Sequence, residues 1–161
     1  MPRIGITGHS NLAPDTVPLI ESAIRGVLLA GRSSELVGVT CLARGADQIF
    51  ARVVLDLGGT VEVVLPAPDY RERKVKPDNV VEFDDLLSKA SNIETLPCRE
   101  SNSEAYMAAG EKVLDSIDAL VAVWDGGPSS GYGGTADMVE AARARGLPVT
   151  VVWPDGAHRV D

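Results

Sequence analysis

Residues 37–65 read VGVTCLARGADQIFARVVLDLGGTVEVVL, and the fold is decided by how this stretch is parsed. Leu36 to Cys41 is a short apolar run rich in Val, of strand length and not helix length. Ile49, Phe50, Val53, Val54 and Leu57 then recur at helical spacing, and the helix stops at Gly58 and Gly59. Thr60 to Leu65 is a second β-branched run, ended by Pro66. Strand, helix and strand in so short a span form one βαβ unit, which requires parallel strands.

Outward from this unit the alternation continues. Upstream, Arg3 to Thr7 predicts a strand ending in Gly8. A helix follows from about Asp15, carrying Ile20, Ala23, Ile24, Val27 and Leu28 on one face and closing near Gly31. Downstream, residues 69–79 are polar and poorly patterned and hold Arg71, Arg73, Lys74 and Lys76. The pattern then predicts a helix near Val81 to Ala90, a weak strand near Ile93 to Leu96 and a helix from Ser103 to Ile117. A strong strand, Ala119 to Trp124, leads into a glycine-rich loop, a helix from Thr135 to Arg145 and a last strand, Val149 to Trp153. The expected architecture is α/β: a three-layer, Rossmann-like, doubly wound and mainly parallel sheet of about six strands. Residues 1–161 form a single domain on this reading, with no internal repeat and no linker.

Composition narrows the function. The chain has 161 residues, 45% of them hydrophobic, and 15 Lys and Arg against 23 Asp and Glu, a formal charge of −8. That acidic balance predicts no nucleic-acid partner, because binding several phosphates normally needs a basic face. No apolar run approaches about 18 residues and no signal peptide opens the chain, so a cytoplasmic protein without membrane association is expected. Cys41 and Cys98 are too few for a disulfide scaffold and read as thiols in a reducing compartment. No His, Cys or carboxylate cluster has ligand spacing, so neither a metal nor a cofactor is predicted.

In a doubly wound sheet, ligands bind beyond the carboxyl ends of the strands. Three loops there carry the chemistry. The first is Gly8-His9-Ser10-Asn11, the second Ala43-Arg44-Gly45-Ala46-Asp47, and the third runs from Gly126 to Thr135 as GGPSSGYGGT. Five glycines in nine residues suit a loop whose main chain a ligand approaches closely. Amides at the start of the following helix, with the Thr135 hydroxyl, would cradle a phosphate. The loop is neither a Walker P-loop, since it lacks the lysine, nor a dinucleotide fingerprint, since it comes late in the chain.

The segment LARGAD within 42–47, followed by a helix and the GG before Val61, resembles the corresponding stretch of the DNA-processing protein DprA. The late GYGGTAD is similar to the GGxGT loop of the Lonely Guy phosphoribohydrolases. Both belong to the SLOG superfamily of Rossmann-like nucleotide binders, and the resemblance extends from Ile4 to about Val152. It implies that Gly131, Gly133, Gly134 and Thr135 hold a nucleotide phosphate. It further implies that Arg44 and Gly45 face the pocket and that Gly8, His9 and Ser10 form another wall. It also allows a homo-oligomer, since many members of the superfamily are dimers or larger. Where the Lonely Guy pattern has a glutamate three residues past the threonine, this chain has Met138.

The expected function is therefore binding of a nucleotide or nucleotide-derived small molecule through the glycine-rich loop. The alternative is a nucleotide or nucleoside N-glycosidase, with Asp137 or Asp125 as the catalytic carboxylate. Each residue also has a plainer reading. Arg44 could be an ion-pair partner, Asp47 and Asp137 could serve their helix dipoles, Asp125 could begin a turn, and His9 could bond the main chain. The basic run within 69–79 is either a solvated loop or a lid that supplies charge to a polyphosphate.

Overall fold

The computed structural model describes residues 2–31, 35–129 and 131–160. Ser130 of the glycine-rich loop and the two end residues of the predicted domain lie outside the described residues. In chain order the elements are β1 (Arg3–Gly8), α1 (Val17–Gly31), β2 (Val37–Thr40), α2 (Ala46–Asp56), β3 (Thr60–Leu65) and α3 (Tyr70–Lys74). They continue with α4 (Val80–Ser88), β4 (Asn92–Thr95), α5 (Ser103–Asp115), β5 (Ala119–Val123), α6 (Thr135–Ala144) and β6 (Val149–Val152). The short helix α3 is the one element for which the polar stretch 69–79 gives no periodic signal.

The six strands lie in the order β4-β3-β2-β1-β5-β6. Every pairing is parallel. The chain winds outward from β1 to β4, then returns to the other side of β1 with β5. That reversal between β1 and β5 is the topological switch point, where an open α/β sheet leaves a crevice.

Two cores follow from the alternation of side chains along the strands. Ile6, Val61, Val63, Val121 and Val123 face one side, under Ile20, Ile24 and Leu28 of α1, Phe50, Val53 and Val54 of α2, and Phe83 and Leu86 of α4. Val37, Val39, Val64 and Leu120 face the other side, under Val113 and Leu114 of α5 and Met138 and Ala142 of α6. Helices thus cover both faces, and β4 stands exposed at one edge.

Close packing of helix on sheet depends on Gly38. A Cβ there would lie 2.8 Å from both Phe50 Cε2 and Val54 Cγ2, and those two side chains are fully buried with no room to retreat. Gly38→Ala should therefore cost about 1–3 kcal/mol through overpacking. The check is the urea unfolding midpoint, which is expected to fall while the slope of the transition stays unchanged.

Candidate functional site

The switch point opens a cleft of about 1080 Å³ above the carboxyl ends of the strands. Of the residues singled out in the sequence, Gly8, His9, Ser10, Arg44, Gly133, Gly134 and Thr135 line it together. Gly45, Gly131, Asp125 and Asp137 do not line it.

The first loop is organised by His9. Its amide donates to Val123 O at the end of β5 (3.1 Å), and its carbonyl accepts from the Ala46 amide at the start of α2 (3.2 Å). The ring is buried and stands edge-on to Trp153 at a centroid distance of 5.7 Å. Its Nε2 lies 3.2 Å from both the Asp125 amide and Asp125 Oδ1. Burial, helped by Arg159, pulls the His9 pKa down. The neutral ring then accepts from the amide and carries its proton on Nδ1.

The second loop turns at Gly45, whose φ of +85° is the left-handed region. A Cβ at that position would come within 2.6 Å of His9 O, so the turn leans directly on the first loop. Arg44 points away from the turn and forms a two-pronged pair with Asp78, at 3.1 and 2.8 Å. Asp47 folds back beneath the turn and its Oδ2 accepts from the Ala43 amide (3.2 Å).

The third loop is tied down by the two carboxylates proposed for catalysis. Asp125 Oδ1 accepts from the Gly127 amide (2.9 Å) and Oδ2 from Arg159 Nη1 (3.2 Å). The Gly127 amide first, then Arg159 and His9, hold the Asp125 carboxyl below the usual range. Asp137 Oδ2 accepts from the Gly133 amide (2.9 Å), while its own amide donates to Ser129 Oγ (3.1 Å). Gly133, at φ +85°, packs so tightly on α5 that a Cβ would sit 3.1 Å from the Met107 amide nitrogen. Among the described residues nothing accepts from the Thr135 and Ala136 amides or pairs with the Thr135 hydroxyl. Both residues line the cleft.

The charge of the lining is one-sided. Arg44, Arg73, Lys74, Lys76 and Arg159 contribute cations and Asp47 contributes the one carboxylate. Arg159 has no sequence signal, because it reaches the cleft through an isolated antiparallel bridge to Leu12 and a bond from its Nε to Asn11 Oδ1 (2.9 Å). Tyr70 and Tyr106 add an aromatic wall, their rings edge-to-face at 6.3 Å. Met138 is buried and fills the space that a Cβ on Gly110 would need, so this part of the wall is apolar.

Asp47 is the most perturbed acid of the cleft. Burial pushes its pKa up to about 7, against the Ala43 and Cys41 amides and the Thr40 hydroxyl, which pull it down. Its neighbours Cys41 and Tyr70 are raised by burial and by the Asp47 charge. An acid that is neutral in the native state and ionised in the unfolded chain costs stability as pH rises from about 4 to about 7. Above about 7 that loss is complete. The stability of Asp47→Asn relative to the parent is thus expected to climb over that window by a few kcal/mol and then stay level. Urea titrations of both proteins at each pH give this difference directly.

No protein-family model matches the sequence, and no curated protein matches it either. Solved structures do match. DNA processing protein A (DprA) from Streptococcus pneumoniae superposes with a TM-score of 0.69 at 17% identity, over 97% of this chain and 52% of that one. This chain therefore spans about half the length of that protein. DprA from Helicobacter pylori, described for its single-stranded DNA binding mode, gives 0.69 at 15% identity, over 99% and 68%. The Moco carrier protein of Chlamydomonas reinhardtii gives 0.54 at 21%, over 94% and 75%.

These matches correct the expectation that an acidic chain has no nucleic-acid partner. A protein of this fold binds single-stranded DNA, and the net charge of −8 here coexists with a cleft that gathers five cations. Net charge sums over the whole surface, whereas a ligand responds to the few side chains within a Debye length. Among the described residues no helix is long and apolar enough to cross a membrane. With its six parallel strands and its switch-point cleft, the chain has the doubly wound, Rossmann-like fold that these neighbours share.

Proposed function

We propose that the cleft binds a nucleotide or nucleotide-derived small molecule, with a phosphate seated at the amino end of α6. The observation that carries this reading is the pair of unpartnered amides at Thr135 and Ala136, beside the unpartnered Thr135 hydroxyl, in a wall that faces cations. Backbone N–H groups at a helix start, aided by the helix dipole, are a ready site for an anion. Tyr70 and Tyr106 offer faces and edges on which a base can pack. Free thiols at Cys41 and Cys98 suit a cytoplasmic setting.

Binding is favoured over N-glycosidic hydrolysis because the two carboxylates that hydrolysis would use are spent on the loop. Asp125 and Asp137 both accept from backbone amides and neither lines the cleft. The position of the Lonely Guy glutamate is taken by the buried Met138.

Calorimetric titration with nucleoside mono-, di- and triphosphates, followed by chromatography of the mixtures, tests the reading. Saturable binding with no released base is expected. Release of free base would replace the binding module with a hydrolase. Thr135→Val removes one hydroxyl at nearly constant shape and should weaken binding roughly tenfold, in line with about 1.5 kcal/mol for a hydrogen bond to a charged group. Asp78→Ala should act in the opposite sense: it releases the Arg44 fork for the phosphate, so affinity should rise several-fold.

A further inference from the structure

One polar side chain of the cleft lacks a partner within the protein. Thr7, His9 and Asp47 line the cleft and are each nine-tenths buried. The Asp47 carboxyl accepts from the Ala43 amide, and the His9 ring accepts from the Asp125 amide. The Thr7 hydroxyl pairs with no group among the described residues. No fully enclosed side-chain nitrogen or oxygen among them goes without a partner. The hydroxyl therefore meets open space, and the space that Thr7 lines is the cleft. Val would fill the same strand position with nearly the same shape, so packing alone does not call for a hydroxyl there.

Alternation along β1 sets its direction. A Cβ on Gly5 would meet Val113 of α5, whereas one on Gly8 would meet Ala46 of α2. Side chains two apart on a strand share a face, so Thr7 lies on the side of α5. There α5 lines the cleft with Tyr106, Ala109, Gly110 and Val113, a stripe at helical spacing. Met138 of α6 fills the notch left by Gly110 and completes this side. Thr7 thus sets one hydroxyl against a wall that is otherwise apolar or aromatic. Thr135, in the proposed phosphate seat, lies about one helical turn from Met138, so wall and seat adjoin.

We infer that Thr7 is a specificity-determining residue, whose hydroxyl bonds the polar edge of the base while the phosphate sits at Thr135. This rests on the reading of the cleft as a nucleotide site and adds where the base lies. A base has apolar faces and carries its nitrogens and oxygens along its edge, which suits an apolar wall with one hydroxyl. A ribose presents two neighbouring hydroxyls, and one of them would be left unpaired against Ala109, Gly110 and Val113. Because a threonine hydroxyl both donates and accepts, it can serve a ring nitrogen, an exocyclic amine or a carbonyl.

The test titrates the parent, Thr7→Val and Thr7→Ser with the four nucleoside 5′-monophosphates and their 2′,3′-dideoxy counterparts, by calorimetry. Thr7→Val should weaken the best-bound nucleotide about five-fold, as the loss of one hydrogen bond between neutral groups does. The dideoxy form, which lacks both sugar hydroxyls, should lose as much. Thr7→Ser keeps the hydroxyl and should stay within two-fold of the parent. Thr7→Ala, read in the same way, replaces Thr7→Val should that variant fail to fold. Unchanged affinity on losing the hydroxyl would overturn the inference and leave the nucleotide site standing. So would a penalty that vanishes with the dideoxy form, which would place the sugar at Thr7, or a Thr7→Ser variant as weak as Thr7→Val, which would make the residue structural. No binding of any nucleotide by the parent would overturn the site and the inference together.

Discussion

One residue ties the functional end of the sheet together. His9 donates its amide to the end of β5, accepts the first amide of α2 on its carbonyl and, through its ring, accepts the amide of Asp125. Three chain segments far apart in sequence are thereby held in register. Their contact explains the glycines around it. A Cβ on Gly8 would collide with Ala46 and Val123, and one on Gly45 with His9 O. With these loops locked, the cleft forms on the side where the chain reverses, and the starts of α2 and α6 border the same space.

The acidic composition and the basic cleft are two consequences of where the charges pair. Half of the described arginines and lysines meet carboxylates away from the cleft, as in Arg3 with Glu62 and Arg71 with Asp84. Such exposed pairs contribute little to stability, but they neutralise the surface locally. Of the five cations that line the cleft, Arg44, Arg73 and Arg159 are met by Asp78, Asp69 and Asp125, so Lys74 and Lys76, with Asp47 as the one lining carboxylate, remain for a ligand to meet. Burial favours the neutral form of that carboxyl, so it offsets the lining cations less than an exposed carboxylate would.

Much of this was legible in the sequence because it is periodic or punctuated. The β2–α2–β3 unit, the strands at both ends and the glycine stops appear where the alternation predicts them, within a residue or two. The short helix α3 was not legible: five residues give too little periodicity, and its fixation comes from long-range groups such as Asp69 accepting from Ser101. Which loop residues share one cleft was partly legible, since the strand-end rule brings Gly8, Arg44 and Thr135 together. Side-chain direction was not. Nothing in the spacing says that Asp137 turns back to Gly133, that Arg44 reaches Asp78, or that Arg159 returns across the sheet to Asn11. Those are contacts between distant segments, decided by packing.

The glycine-rich loop combines a fastened main chain with an open helix start. Five glycines would leave it expensive to order on binding, yet its backbone is fastened at several points before any ligand arrives. Trp124 Nε1 donates to Gly127 O at 2.8 Å, Asp125 holds Gly127, Ser129 holds Asp137 and Asp137 holds Gly133. The carboxylates satisfy the amides of the loop itself and leave those of Thr135 and Ala136 open. Had Asp137 capped the helix start instead, it would have occupied the position an anion needs and repelled the anion as well. Drawing the carboxylates onto the loop therefore does two things at once: it pre-organises the main chain, which lowers the ordering cost of binding, and it leaves the Thr135 and Ala136 amides open towards the cleft.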